Sequence, residues 1–207
     1  MMSSFFKRAT SQADFDRLTE TVGSVVELKS RLPAWPFRPA AGAFGQVIEY
    51  DRVLGDDFAE VLVALTRTYL DQSVATVVLG PDVQYYRTAY GTLPGFEVEA
   101  AWLEAGYGEG MRYEPRGDPT GALAYTANVI AVAGSARRWA LWGQRDWEIA
   151  VLCTPHDVGP WLDTSVPVFG RDLDLDAIRS PAGWGVPLSE GERREFWRNL
   201  RLRGSGW

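Results

Sequence analysis

The only thiol and the only imidazole of the chain stand together in Cys153-Thr154-Pro155-His156-Asp157. A Cys-His nucleophile needs its thiolate poised against the imidazole by an orienting group, and such partners ordinarily come from distant parts of a chain. Pro155 restricts the backbone between the two side chains, and the run falls where a strand is expected to end. The spacing therefore predicts a buried cysteine followed by an exposed loop histidine, with no catalytic residue assigned. One Cys and one His leave only carboxylates to complete a zinc site, so neither a metal nor a cofactor is expected.

Two other patterns invite chemistry. Gly106, Gly108 and Gly110 suggest a phosphate-cradling loop, but neither the dinucleotide spacing G-x-G-x-x-G nor the G-K-[ST] of a P-loop is present. Glu104, Glu109 and Glu114 would repel phosphate there, and residues 106–121 read as a glycine-rich surface loop. Glu97, Glu99, Asp146 and Glu148 would resemble a hydrolytic acid-base set only if strands brought them to one cleft. A solvated face is the plainer expectation.

Aromatic residues carry the stronger signal. The chain holds nine tryptophans, a residue that supplies large apolar area and is enriched at interface hot spots. Trp139, Trp142 and Trp147 flank one predicted hairpin. Trp139 and Trp142 are an odd number of residues apart, so they must point to opposite faces of the sheet. If both faces are covered, all are core; if one is open, Trp139, Trp142, Arg145, Asp146 and Trp147 form a partner-binding patch. An alternative ligand pocket would lie between residues 85–95 and the glycine-rich segment, where Tyr85, Tyr86, Arg87, Tyr90, Arg112 and Tyr113 offer stacking and anion contacts.

These residues need elements to hold them. Ser11 and Asp14 have capping-box spacing ahead of Phe15, Leu18 and Val22, which predicts a helix from about Gln12. Pro33, Pro36 and Pro39 then break regular structure. Residues 46–54 suggest a strand. Phe58, Val61, Leu62, Leu65 and Tyr69 form one apolar stripe, which makes a helix from Asp56 the clearest in the chain. Residues 74–79 read as the next strand, completing a β-α-β passage, and residues 96–102 alternate as a strand with one wet face. Residues 124–132, 137–142 and 147–153 predict an antiparallel meander. Residues 164–185, with Asp172, Asp174 and Asp176, look irregular. A last helix begins at Ser189 and Glu192, its arginines Arg193, Arg194, Arg198, Arg201 and Arg203 expected to face the chain's own acids while Trp197 is buried.

The expected fold is one α+β domain over residues 1–207, with a mostly antiparallel or mixed sheet of about five to six strands and helices mainly on one face. Hydrophobic residues at 46% and charged residues at 23% fit a globular chain. A net charge of -6 makes binding to a phosphate backbone unfavourable, so nucleic acid is not an expected partner. Apolar runs are too short to predict a membrane span. Arg dominates the basic residues, a usage suggesting a bacterial origin, and the lone cysteine and unremarkable N-terminus point to the cytoplasm. The leading expectation is a non-catalytic protein that binds a protein partner, of the kind that neutralises a basic toxin as an immunity or antidote protein. The alternatives are a small-molecule-binding protein or hydrolase using the pocket near residues 85–121, and a structural subunit of a larger assembly.

Overall fold

In a computed structural model, residues 5–158, 164–169 and 187–204 are described. One seven-stranded sheet organises them, in the order β1-β4-β3-β5-β6-β7-β2. The strands are β1 Lys7–Arg8, β2 Phe44–Glu49, β3 Ser73–Gly80, β4 Gly95–Glu99, β5 Val129–Gly134, β6 Ala140–Gln144 and β7 Ile149–Thr154. Every neighbouring pair is antiparallel. The meander forms as expected, with Ala131 opposite Trp142 and Trp142 opposite Val151. The class is thus α+β, with more strands than the five to six anticipated.

Helix α1 (Gln12–Gly23) opens on the expected capping box, in which Ser11 Oγ accepts from Asp14 N and the Asp14 carboxylate accepts from Ser11 N. Those two bonds satisfy donors that the first helical turn would otherwise leave free. Helix α2 is Tyr50–Leu54, and α3 is Phe58–Tyr69. The apolar stripe of α3 is buried from Phe58 to Tyr69. The expected β-α-β passage does not make neighbouring strands, because β5, β6 and β7 separate β3 from β2. The segment after β3 forms helix α4 (Val83–Tyr90). Asp82 caps it by accepting from Tyr85 N, and Gly91 closes it at φ 62°.

The largest departure is at the glycines. Residues Leu103–Arg112 form helix α5 instead of a loop. Glycine is a poor helix former, by about 1 kcal/mol per residue against alanine, so packing must explain it. A Cβ at Gly106 would lie 2.5 Å from the Phe5 carbonyl oxygen, and one at Gly110 would lie 2.6 Å from the Phe96 ring. Gly106 and Gly110 share one helix face. Their missing side chains let α5 lie directly on β4 and on the chain entering β1. Helix α6 is Leu123–Thr126, and α7 is Glu190–Gly204, which starts with the expected reciprocal bonds between Ser189 and Glu192.

Both faces of the sheet are covered, which corrects the expectation of helices mainly on one. Helices α2, α3, α4, α5 and α6 bury one face around Phe58, Leu62, Tyr86 and Tyr107. On the other, α1, α7 and the proline-rich residues 25–41 enclose Phe15, Leu18, Phe37, Phe196 and Leu200. Among the described side chains of α7, Phe196 and Leu200 are buried, whereas Trp197 is only half-buried. Arg194 pairs with Glu190 at 3.7 Å and Arg198 with Glu195 at 3.8 Å, so these two arginines find acids on their own helix. Asp172, Asp174 and Asp176 lie outside the described residues.

Candidate functional site

The meander takes its three tryptophans out of contention as a surface. Trp139 joins the face covered by α3 and α5, and Trp142 joins the face covered by α1 and α7. Their opposite directions are as the odd spacing required. Because both faces are covered, both rings are completely buried, as is nearly all of Trp147. Asp146 remains exposed at the turn between β6 and β7. Arg145 turns inward, donating to the Tyr125 and Ala124 carbonyls at 3.1 and 3.2 Å, with its guanidinium carbon 5.6 Å from the Tyr50 ring centroid. It closes the C-terminal end of α6, where carbonyls lack helical partners. A contiguous patch of Trp139, Trp142, Arg145, Asp146 and Trp147 therefore does not exist.

Cys153 is buried on β7, its Sγ donating to the Gly42 carbonyl at 3.5 Å, whereas His156 is exposed. Asp157 accepts from Gln46 Nε2 at 2.9 Å, and Thr154 Oγ1 donates to the His156 carbonyl at 2.6 Å. Thiol and imidazole thus face different environments. Among the described residues, no group of three or more His, Cys, Asp or Glu is arranged to hold a metal ion. No described helix is long and apolar enough to cross a membrane. The carboxylates also separate: Glu97 and Glu99 lie on β4, while Asp146 and Glu148 sit at the turn before β7, with β3, β5 and β6 between. Glu97 accepts from Arg17 at 2.8 Å and from Ser73 Oγ at 2.7 Å.

The six residues of the alternative pocket divide. Tyr86 is fully buried, donates to Thr126 Oγ1 at 2.9 Å, and has its hydroxyl pushed up to about 12 by burial. Tyr85 and Tyr90 meet hydroxyl to hydroxyl at 3.4 Å, and Tyr90 donates to the Thr120 carbonyl. Arg112 pairs instead with Asp56. Arg87 and Tyr113 do border a common region through Arg8. The Arg8 guanidinium carbon lies 3.6 Å above the Tyr113 ring centroid, and its Nη2 donates to Thr92 Oγ1. Burial draws the Arg8 pKa below the ordinary arginine range, while Tyr113 acts the other way.

An exposed aromatic pair lies elsewhere, at the far end of β4. Trp102 is 50% exposed and Phe5 41% exposed, and their ring centroids are 5.2 Å apart. Both border a groove of about 740 Å³, along with Lys7, Ser73, Glu97 and Glu99. An adjoining groove of about 620 Å³ is lined by Leu70, Arg67, Ala101 and Glu104. The Ala100 N–H donates to the Gln72 carbonyl at 2.8 Å, which binds the turn carrying Trp102 to the segment after Leu70. Leu70 is 83% exposed and left-handed, φ 59°. Glu99 and Glu104 are exposed and make no ion pair among the described residues.

Sequence reading missed this ridge because it placed Trp102 at the end of a strand. The chain instead leaves β4 at Glu99 and turns through a 3-10 segment, Ala100–Trp102. The strand alternation that would have assigned Trp102 to a face has ended before it. Compared with known protein families, with curated proteins and with solved structures, the chain matches none.

Proposed function

We propose that the chain is a non-catalytic binding protein that takes a basic protein partner on the Phe5, Trp102 and Leu70 ridge, in the manner of an antidote to a basic toxin. The observation that carries this reading is the Phe5–Trp102 pair. Two rings in tilted contact, each about half exposed, are costly to leave in water and match the residue types that dominate interface energetics. The acids around them supply the charge preference. Glu99 and Glu104, which make no ion pair among the described residues, line the two grooves beside Lys7 and Arg67, on a chain of net charge -6. Such a surface steers a cationic partner, and the rings then resist its departure.

The test is capture of partners from native extract by immobilised wild-type protein and by a Phe5→Ala, Trp102→Ala variant, at low and high salt. A stoichiometric basic partner held by the wild type, lost at high salt and held at least thirtyfold more weakly by the variant is expected, equivalent to about 2 kcal/mol. Equal binding by both proteins would exclude the ridge. Binding insensitive to salt would remove the electrostatic part of the reading.

A further inference from the structure

At the opposite end of β4 from the aromatic ridge, cations gather without acids. A groove of about 350 Å³ is lined by Arg8, Thr10, Gln12, Arg87, Gly91 and Thr92. Arg116 reaches the same place from another segment: a methyl group added at Gly91 would overlap its guanidinium. Three guanidinium groups from three parts of the chain thus converge where β1, the start of α1 and the end of α4 meet. None of them makes an ion pair among the described residues.

The carboxylates nearby are already committed or turned away. Asp14 accepts from Thr10 Oγ1 at 3.2 Å and from Ser11 Oγ at 2.8 Å, closing the N-terminus of α1. Asp16 accepts from Gln12. Glu114 and Asp118 flank Arg116 in sequence without pairing with it. The Asp14 amide is engaged by Ser11 Oγ and the Thr10 and Ser11 amides by the Asp14 carboxylate, and the formal positive charge of the groove comes from the arginines. Clustering like charges is unfavourable unless an anion joins them. Each arginine is also held in place: Arg8 by Tyr113 and Thr92, Arg87 by Gln12, and Arg116 by its fit against Gly91.

We infer that this groove binds the phosphate group of a small phosphorylated molecule. A tetrahedral dianion can accept from several guanidinium forks and from the Thr92 hydroxyl together, whereas a planar carboxylate is satisfied by one fork. The volume leaves room for a sugar-sized body beyond the phosphate. The site is independent of the protein-binding ridge and stands or falls separately.

Titration of isotope-labelled protein with inorganic phosphate, and separately with ribose 5-phosphate, tests this by NMR. Both ligands should shift the Gly91 and Thr92 amides. Tighter binding of the ester would show that the groove reads the organic body, and equal binding would show that it reads phosphate alone. An Arg87→Gln, Arg116→Gln variant should weaken binding at least tenfold, while Arg112→Gln, whose arginine pairs with Asp56, should leave it unchanged. No shift with either ligand at millimolar concentration, or undiminished binding by the double variant, would overturn the proposal.

Discussion

Trp139 and Trp102 are the same residue type put to opposite uses. Trp139 stands immediately before β6, buried under helices, with its indole N–H donating to Asp71 at 2.7 Å. Trp102 stands one turn beyond β4, next to the edge strand, half in water and tilted against Phe5. Coverage of the sheet decides between them. A ring sealed between the sheet and its helices contributes to stability, whereas a ring beyond the end of β4 stays at the surface.

Several substitutions would break or sharpen that contrast. Trp139→Ala or Trp142→Ala should each cost about 3–5 kcal/mol, seen as a lower urea midpoint, because a fully buried ring leaves a cavity. Trp102→Ala should cost less than about 1 kcal/mol in the same experiment while weakening partner capture. Equal losses from the two regions would erase the distinction.

Asp71 is the next largest expected effect. Its carboxylate accepts from both Ala136 N at 2.6 Å and Trp139 Nε1 at 2.7 Å, pinning the β5–β6 turn to the end of α3. Asp71→Ala leaves the buried Trp139 indole N–H without its partner and frees the Ala136 amide at the exposed turn, and should cost about 2–3 kcal/mol by urea denaturation. Gly106→Ala follows, at about 1–3 kcal/mol despite the better helix propensity of alanine, because its methyl group meets the Phe5 backbone. The same methyl group should disturb the Phe5–Trp102 pair, joining a stability change to a binding change.

The smallest effect is a pH ordering. Burial holds Asp71 above the ordinary aspartate range, against the pull of Ala136 and Trp139, whereas hydrogen bonds from Ser11 hold Asp14 below it. As pH rises, carboxyl NMR should therefore show Asp14 ionising before Asp71. Asp14 stabilises the fold above its unfolded value, and that contribution is lost as pH falls through its depressed folded value. Asp71 has the opposite sign. The cost of its buried charge sets in as pH rises from the unfolded value through the raised folded one, then stays constant.

Much of the frame was legible where a local pattern had only one physical solution. Ser11 with Asp14 and Ser189 with Glu192 announced two helix starts, the stripe from Phe58 to Tyr69 announced α3, and the meander followed from alternation and turns. Parity alone placed Trp139 and Trp142 on opposite faces. What stayed hidden depends on contacts between distant segments. The α5 glycines read as a loop because propensity is local, while the reason for them, Phe5 and Phe96, is set by sheet order. Helix α4 was masked by its tyrosines although Asp82 and Gly91 bracket it. The two-residue β1 has too little pattern to read, yet it completes the edge and positions both candidate surfaces.

The packing of α5 also bears on the order in which the chain assembles. A helix with three glycines in ten residues has little tendency to form alone. Its footing includes a carbonyl from the other end of a long loop, since Lys7 pairs with Glu97. That closure is entropically slow to reach. α5 should thus be among the last helices to gain protection from hydrogen exchange during refolding, after the central meander, and the Phe5–Trp102 surface can exist only once that late step is complete.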